Sequence, residues 1–421
     1  MASITSMPAF EEWFEKAAVP GPEREIPSSV VIALDRDGII YNKSVGTQSE
    51  NPTSPLASKP ISSDTVMWVA SCTKLLTAIS LLQLVERGLL SLDAPIASLL
   101  PELSDPSVFT GFNSAGAPEF TKPEKETTVR MMMSHQSGVG YDIVHPYITK
   151  LRDYKSAAGE AVPDKLTWES QIQPLMAQPG KSWVYGANFE LLSRLVEQVS
   201  GAPSLGAYMK EHIWDPLGIT DATFHLASRP DMKDQLMDMS TRDADGKLVP
   251  STLANWWADR TFDSGGAGMY ITPAEYAKVL RAILRDDGTL LKPETMELLF
   301  EPQLGPEAQQ SFESTCYDNG GVAVFSSSLP RSARATQALG GVVCREDVYG
   351  GVNGGEGKRR SKGSLNWGGL PSVLWMVDRE RGLAMVWGTQ LMPTGDGSVL
   401  GGWTRAEEAV YASDLGRGRV E

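Results

Sequence analysis

The stretch of sequence that decides the fold is Trp68-Val69-Ala70-Ser71-Cys72-Thr73-Lys74, which leads directly into the apolar run LLTAISLLQLVER. This run has the periodicity of an α-helix, so we predict a helix over 72–87 that ends at Gly88. Because apolar residues occupy most of its faces, we expect the helix to lie buried in the centre of the protein. Side chains at positions i and i+3 share a helix face, and Ser71 and Lys74 can therefore touch.

Ser71 and Lys74 together have the chemistry of nucleophilic catalysis. A serine hydroxyl becomes a good nucleophile only when a neighbouring base takes its proton, and a lysine buried under an apolar helix can act as that base. The helix N-terminus also favours negative charge that develops near Ser71. A Ser-x-x-Lys spacing alone is equally typical of a serine that caps a core helix, so the flanking sequence has to decide between these interpretations.

Strand patterns lie at both ends of the chain, with helices between them. Two hairpins are predicted, the first from the runs 30–34 and 39–41 around an Asp-Gly turn, the second from 372–377 and 383–388. Helical patterns cover 8–19, 188–199, 204–214, 273–284 and 403–412. Segment 47–63 is predicted to be a loop, and 104–127 a polar insertion that contains Gly and Pro. An antiparallel sheet from both termini, with flanking helices and an inserted helical lobe, fits this order and gives an α+β fold, an α/β sandwich.

The chain is long enough to bury a large core and still leave a cleft between two lobes. We expect one catalytic domain over 1–421. Within it, about 28–103 and 335–415 would form an α/β lobe, and about 104–334 a mainly helical lobe.

Composition argues against several classes of function. The formal net charge of −14 and the pI of about 4.9 predict a surface that repels nucleic acid and anionic membranes. The three cysteines and four histidines show no disulfide or metal spacing, so neither a metal nor an organic cofactor is expected. A Gly-x-Ser-x-Gly elbow, a P-loop and a Gly-x-Gly-x-x-Gly motif are all absent from the sequence. Without a signal peptide or a long apolar run, a cytoplasmic location is predicted.

Tyr185 is the second residue with potential chemistry. It follows a Pro-Gly turn in the stretch PGKSWVYGAN, which covers 179–188 and precedes a predicted helix. A tyrosine beside a cation such as Lys74 can shuttle a proton between Ser71 and a leaving group. A tyrosine that only packs against a helix start is the structural alternative.

The third candidate is Asn366-Trp367-Gly368-Gly369-Leu370, just before the predicted strand at 372–377. Glycines let a backbone approach a ligand closely, and the N–H groups of Ser71 and of Leu370 or Gly369 are candidates for an oxyanion hole. A plain β-bulge is the alternative, since two glycines suit that as well.

These segments together resemble the superfamily of serine β-lactamases, D,D-peptidases and esterases, in which Ser-x-x-Lys opens the central helix. The resemblance rests on 68–74, on the helix that follows and on the run ERGLLSLD at 86–93, and it covers most of 8–415. It implies a β-lactamase/transpeptidase-like fold with Ser71 as nucleophile and Lys74 and Tyr185 as its proton-transfer partners. Family members often have Tyr-x-Asn, whereas Asn188 here stands three positions after Tyr185.

The same resemblance implies a role for Trp367-Gly368-Gly369. Family members carry Lys-Thr-Gly or His-x-Gly on an inner-edge strand, where a cation holds the carboxylate of a β-lactam. Trp367 in that place offers an apolar wall, which is similar to the esterase and acyltransferase branch, especially fungal polyketide transesterases of the lovastatin type. His135, in MMMSHQSG at 131–138, resembles a structural turn of the family, and FDSGGAGM at 262–269 resembles a glycine-rich scaffold near the cleft floor.

The expected function is therefore acyl transfer through an acyl-Ser71 intermediate, from a thioester or ester donor to an alcohol of a secondary metabolite. A hydrolytic carboxylesterase or a β-lactamase-like amidase is the alternative, and a non-catalytic binding protein on the same fold is a third. Expected partners are small-molecule donors and hydroxyl acceptors, an acyl carrier protein or polyketide synthase, and no nucleic acid or membrane, in a monomer or small homo-oligomer. Asn188 is a further candidate for substrate binding. Candidates for the apolar cleft or for the core are Tyr141, Tyr147, Trp183, Trp256, Trp257 and Trp367.

Overall fold

Both ends of the chain contribute to one antiparallel sheet in the computed structural model, which describes residues 6–21, 23–251, 260–318, 329–330, 333–350 and 357–413. The strands in chain order are β1 (Ser29–Leu34), β2 (Ile39–Val45), β3 (Met67–Trp68), β4 (Val108–Phe112), β5 (Pro118–Thr121), β6 (Ala222–Thr223), β7 (Ser240–Arg242), β8 (Leu248–Pro250), β9 (Tyr270–Ile271), β10 (Ala335–Gln337), β11 (Val342–Cys344), β12 (Val348–Tyr349), β13 (Lys358–Arg360), β14 (Leu365–Gly368), β15 (Leu374–Asp378), β16 (Leu383–Gly388) and β17 (Leu391–Met392). The main sheet has the order β10-β11-β14-β15-β16-β1-β2, which confirms the predicted sheet from both termini and its two hairpins.

Helices cover both faces of this sheet and fill the middle of the chain. In chain order they are α1 (Pro8–Ala17), α2 (Thr73–Glu86), α3 (Ile96–Leu99), α4 (Val129–Met133), α5 (Pro146–Ala157), α6 (Asn188–Ser200), α7 (Leu205–Met209), α8 (Asp215–Leu217), α9 (Pro230–Lys233), α10 (Pro273–Arg285), α11 (Pro293–Met296), α12 (Pro306–Glu313) and α13 (Gly397–Ala412). No helix in these described ranges is both long and apolar enough to cross a lipid bilayer.

The sheet is buried on both sides because alternate residues of each strand face opposite layers. In β1, Val30 and Ile32 pack into the large core that includes α2, α6 and α10. Val31 and Ala33 point the other way and pack against the terminal helices α1 and α13. Every residue of β1 and β16 is buried, which explains why both strands read as continuous apolar runs. The layers form the predicted α+β sandwich, whereas the division into lobes near 104 and 334 stays a prediction.

Helix α2 is buried along nearly its whole length, as its composition predicts, and it packs against α6 and α7. Its start differs from the prediction, because Ala70–Cys72 forms a separate 3₁₀ turn ahead of it. Ala70 has a φ of 41°, a left-handed conformation that costs a non-glycine residue about 1–2 kcal/mol. The Thr73 hydroxyl donates a hydrogen bond of 2.6 Å to the Ala70 carbonyl and stabilises the bend. Ser71 is therefore presented on a tight turn and not within the regular helix.

Two sequence predictions about segments are wrong in part. The polar stretch 104–127 contains a hairpin, β4 and β5, in which the rings of Phe109 and Phe120 lie 6.0 Å apart. Its aromatic residues pack on one another across the strands, and the Gly and Pro content conceals that pattern. The single helix predicted over 204–214 is instead the short α7 followed by a π-helical turn, Lys210–Trp214.

The position of β14 also differs from the inner-edge strand implied by the family resemblance. β11 pairs with β14 only at Leu365 and Asn366, so β14 is an inner strand of the sheet at its start. Beyond that point, Trp367 and Gly368 pair with β15 alone within the described residues. The free side of this second half faces the 3₁₀ turn that carries Ser71.

Candidate active site

Ser71 and Tyr185 meet directly, although 114 residues separate them in the chain. The Oγ atom of Ser71 lies 2.7 Å from the hydroxyl oxygen of Tyr185. Lys74 donates a hydrogen bond of 3.3 Å from its Nζ atom to the same Oγ atom. The fold thus brings together all three side chains that the sequence singled out as nucleophile and proton-transfer partners, in a geometry that lets a proton leave Ser71.

Lys74 is held by more than Ser71, and its side chain is almost fully buried. Its Nζ atom donates to the carbonyl oxygen of Gly266 at 2.7 Å and to the hydroxyl oxygen of Tyr141 at 3.2 Å. It also lies 4.9 Å from the ring centroid of Tyr185, a distance at which an ammonium group is attracted by the ring face. These contacts fix the amine at one place beside Ser71.

The glycine-rich turn at 262–269 forms the support under Lys74. The hydroxyl of Thr77 in α2 donates to the carbonyl of Gly265, and the N–H of Gly265 donates to Ser193 in α6, each at 2.8 Å. A Cβ atom on Gly266 would lie 2.2 Å from the carboxylate of Glu190. A larger residue at this position would displace the Glu190 carboxylate, and the turn packs between α2 and α6 as a scaffold.

The segment Trp367-Gly368-Gly369-Leu370 runs beside the turn that carries Ser71. A Cβ atom on Gly369 would lie only 2.3 Å from the carbonyl oxygen of Val69, so the two backbones touch. The N–H of Gly369 donates to the carbonyl of Val373 at 2.7 Å and belongs to the sheet. The N–H groups of Ser71 and Leu370 have no acceptor among the described residues. Of the two candidates for a second oxyanion donor, Gly369 already donates within the sheet, so Leu370 stays the candidate for that role.

The β-lactamase family model matches residues 11–409, which is nearly the whole chain. The chain belongs to the β-lactamase family. A serine followed by lysine at the start of the central helix, with a tyrosine beside both, is what the resemblance to that family predicted from the sequence.

Relatives within the β-lactamase family include enzymes of acyl transfer and of ester hydrolysis. The chain is 36% identical over 406 residues to monacolin J acid methylbutanoyltransferase of Aspergillus terreus, covering 96% of this chain and 95% of that one. It is 35% identical over 382 residues to the lovastatin esterase of Penicillium rubens, covering 89% and 92%. Among solved structures, the unliganded simvastatin synthase of Aspergillus terreus superposes with a TM-score of 0.84 at 32% identity, covering 97% of this chain and 99% of that one.

Aromatic side chains surround Tyr185 in this β-lactamase-family site. The ring centroid of Tyr185 lies 4.8 Å from that of His135, 5.6 Å from Trp367 and 6.0 Å from Trp183. Trp183 is buried, and its indole N–H donates to the side chain of Gln337 at 3.2 Å. Burial and then the charge of Lys74 hold the pKa of His135 well below its usual range, so its ring stays neutral. Trp183 and His135 therefore pack against the ring of Tyr185.

Asn188 is not brought to Ser71. Its side chain is fully buried, it accepts a hydrogen bond of 2.5 Å from the hydroxyl of Ser137, and its amide nitrogen lies 3.1 Å from Nδ1 of His135. These contacts connect the start of α6 to the turn around His135. The structure places Asn188 among the residues that hold Tyr185, where it does not face the reacting atoms.

Glu190 and the Gly266 carbonyl are the parts of the site that the sequence analysis missed. Glu190 is fully buried, and each of its carboxylate oxygens lies 2.7 Å from the hydroxyl of Tyr141. Burial and then the charge of Glu190 raise the pKa of Tyr141 well above its usual value, so Tyr141 stays protonated. The available signal was an acidic residue on the apolar face of α6, a placement that is unusual unless the acid is paired.

A cavity of about 450 Å³ opens beside Tyr141. Its walls combine apolar side chains with three cations and an acid, and the lining includes Tyr141, Asp142, Ile143, Ile148, Arg152, Lys165, Leu166, Gln171 and Arg260. Tyr147, a predicted cleft residue, is instead half exposed on α5 next to Phe109. Trp256 and Trp257 lie outside the described residues. Within the described ranges, no group of three His, Cys, Asp or Glu side chains is arranged to hold a metal ion.

Proposed function

We propose that this protein is a serine acyltransferase that forms an acyl-Ser71 intermediate and passes the acyl group to an alcohol of a secondary metabolite. The observation that carries the proposal is the contact of Ser71 Oγ with both the Tyr185 hydroxyl and the Lys74 amine, at 2.7 and 3.3 Å. The relationship to a named methylbutanoyltransferase at 36% identity over nearly the full length supports the same reaction.

In the first half-reaction, the Oγ atom of Ser71 attacks the carbonyl carbon of an ester or thioester donor. The Ser71 proton moves to the Tyr185–Lys74 pair, and the negative charge that develops on the carbonyl oxygen accepts hydrogen bonds from the N–H groups of Ser71 and Leu370. Collapse of the tetrahedral intermediate breaks the bond to the leaving group, which takes the proton from Tyr185. The acyl group then remains on Ser71 as an ester.

The second half-reaction repeats these steps with an alcohol as nucleophile. The alcohol gives its proton to Tyr185, attacks the acyl-Ser71 carbonyl and leaves as an ester, while Ser71 regains its proton. Water in place of the alcohol would make the enzyme a carboxylesterase, and the 35% identity to a lovastatin esterase favours this second candidate function. The two outcomes differ only in which nucleophile the acyl-enzyme admits.

The cavity beside Tyr141 is the proposed site for the alcohol. Arg152, Lys165 and Arg260 give it an excess of positive charge over Asp142, in a protein whose net charge is −14. Apolar walls with a few cations suit a carbon skeleton that carries a carboxylate. The named relative acts on an acid, monacolin J acid, which agrees with this proposal. The acyl donor is proposed to be a thioester, on a small thiol or on an acyl carrier protein.

Covalent labelling tests the proposal. Incubation with a p-nitrophenyl ester should add one acyl group to the wild-type protein, measured by intact mass, and none to Ser71→Ala. Ser80→Ala is the matched control, because Ser80 is a fully buried serine of α2, the helix that follows the Ser71 turn, and its hydroxyl donates to the Leu76 carbonyl. An adduct that persists in Ser71→Ala would refute the assignment of the nucleophile.

Product analysis separates transfer from hydrolysis. The enzyme should be offered an acyl thioester together with polycyclic alcohols, each with and without a carboxylate, and the products followed by mass spectrometry. Transfer is expected to favour the carboxylate-bearing alcohols, and Arg152→Ala should remove that preference. Release of free acid at the same rate with and without alcohol would support the esterase instead. Nitrocefin should not be turned over, because Trp367 replaces the cation that holds the carboxylate of β-lactams.

A further inference from the structure

Glu190 reaches Lys74 through a single side chain. The Tyr141 hydroxyl donates a hydrogen bond to the Glu190 carboxylate, whose two oxygens both lie 2.7 Å from it. The Tyr141 oxygen in turn accepts a hydrogen bond of 3.2 Å from Lys74 Nζ. Glu190 and Lys74 also contact the same glycine, since Glu190 lies against the Cα atom of Gly266 and Lys74 donates to its carbonyl. The donor of each hydrogen bond is defined. Tyr141 stays protonated and donates to Glu190, and Lys74 donates to the Gly266 carbonyl, which can only accept.

We propose that Glu190 is a positioning residue that compensates the positive charge of Lys74 and keeps its amine directed at Ser71, with Tyr141 as the bridge. This inference rests on the proposed acyl-transfer function of Ser71. A fully buried carboxylate is costly unless a cation or several donors compensate it, and within this cluster Lys74 is the cation that the bridge connects to it. The ammonium group of Lys74 is almost fully buried beside Ser71, and burial of a charged group is costly unless an opposite charge lies close to it.

Other titratable groups around the cluster agree with this distribution of charge. Arg260 interacts electrostatically with Glu190, with Tyr141 and with Asp142, so it balances the acids at the cavity side. Burial, and then the positive charge of Lys74, lower the pKa of His135, so its ring stays neutral. Burial likewise raises the pKa of the Cys72 thiol, which stays protonated.

A charged Lys74 has a defined consequence for the reaction. An ammonium group cannot accept the Ser71 proton, so the base in this step is the phenolate form of Tyr185. Lys74 stabilises the negative charge of that phenolate until the Ser71 proton reaches it. The proton later leaves from Tyr185 to the departing group, and no net charge accumulates on the protein. Glu190 touches none of the reacting atoms and acts through the two side chains between them.

The pH dependence of acylation in Glu190→Gln tests the proposal. The substitution keeps the shape and a hydrogen-bond acceptor but removes the negative charge that the Tyr141 bridge connects to Lys74. Both limbs of the rate–pH profile for p-nitrophenol release should therefore move to lower pH. The acylation rate at the optimum should fall by roughly tenfold, because a charge-assisted bond to the bridge is lost. Glu190→Asp should recover part of the wild-type profile.

Glu197→Gln is the matched control. Glu197 lies on the same helix, seven residues further along, and accepts the N–H of Leu205 at 3.1 Å, away from Lys74. It should lower stability without moving the profile. If Glu190→Gln leaves both limbs in place, the role of Glu190 is only structural and the proposal is wrong. If the rate at the optimum rises, neutral Lys74 is the active form, and the proposal is equally overturned.

Two further measurements keep the test decisive. If Glu190→Gln fails to fold, as judged by thermal denaturation, Tyr141→Phe should be used, because it breaks the bridge and leaves the carboxylate. Lys74 then loses the acceptor that the Tyr141 hydroxyl provides, so the acylation rate at the optimum should fall by roughly tenfold, and a wild-type rate there would contradict the proposal. Failure of the acyl-transfer function itself would appear separately, as an acyl adduct that survives Ser71→Ala. A wild-type adduct on Ser71 with an unshifted Glu190→Gln profile would refute only the role of Glu190.

Discussion

A methyl group at Gly369 should separate the two N–H groups, of Ser71 and Leu370, that we propose form the oxyanion hole. The Cβ atom of Gly369→Ala would lie 2.3 Å from the carbonyl oxygen of Val69, whereas ordinary contacts of this kind begin at 3.4 Å. The obstacle is backbone, which has no rotamer through which to move aside. The turn that carries Ser71 and the segment that carries Leu370 therefore have to move apart by about 1 Å.

The size of the effect on catalysis follows from that displacement. The two N–H groups have to lie at hydrogen-bond distance from one oxygen atom, and a misplacement of about 1 Å can reduce a rate by about a hundredfold. A hundredfold loss corresponds to about 2.7 kcal/mol of transition-state stabilisation, which is similar to the loss of one oxyanion donor. Overpacking should also lower the free energy of unfolding by about 1–3 kcal/mol.

The assay is stopped-flow release of p-nitrophenol under single-turnover conditions, with the free energy of unfolding from urea denaturation. Gly401→Ala serves as control, since a Cβ atom at Gly401 in α13 meets nothing within 4 Å. It should leave acylation unchanged and stabilise the helix by about 0.5–1 kcal/mol. If Gly369→Ala is destabilised but acylates within twofold of the wild type, Leu370 is not an oxyanion donor and the argument fails.

Three further predictions concern stability and reactivity. Glu407→Gln should lower the free energy of unfolding by about 3–5 kcal/mol in urea denaturation, because it leaves the fully buried guanidinium of Arg360 without its charged partner. The hydrogen bond to Asp263 raises the pKa of His225. This pair therefore stabilises the protein fully below about pH 6.5, and its contribution falls as pH rises through the raised pKa. The difference in the free energy of unfolding between wild type and His225→Gln should shrink from about pH 5.5 to 8.5. Cys72 should resist thiol reagents in the native protein, monitored by mass, because burial raises the pKa of its thiol.

Each of these three predictions has an outcome that contradicts it. A Glu407→Gln protein with wild-type stability would show that the buried ion pair is replaceable by a neutral hydrogen bond. A stability difference for His225→Gln that grows with pH would mean that the neutral ring is the form bound by Asp263. Rapid modification of Cys72 in folded protein, faster than global unfolding measured in parallel, would show that the core around α2 opens locally.

Much of the fold could be predicted because its signals are local. The helix α2 is predicted by the period of its apolar residues, and the two hairpins by their turn residues, all within a few positions of sequence. The apolar faces of these elements have to be buried against one another, which predicts the layers. The contact between Ser71 and Lys74 could also be predicted, because the two residues stand three positions apart at the start of the helix. The hairpin of β4 and β5 was missed because its aromatic pairs form across strands, where no short window of sequence shows them.

The sequence by itself determined the α+β layers, the central helix and the placement of a serine beside a lysine at the start of that helix. Only the tertiary structure decided which distant groups complete the site: the Tyr185 hydroxyl at Ser71, the Gly266 carbonyl at Lys74, and Glu190 behind Tyr141. It also decided that the N–H of Gly369 donates to Val373, whereas the N–H of Leu370 has no acceptor in the part of the chain that the structure describes. The physical reason is that periodicity and propensity act between near neighbours, whereas hydrogen bonds between buried groups depend on how separate elements pack together.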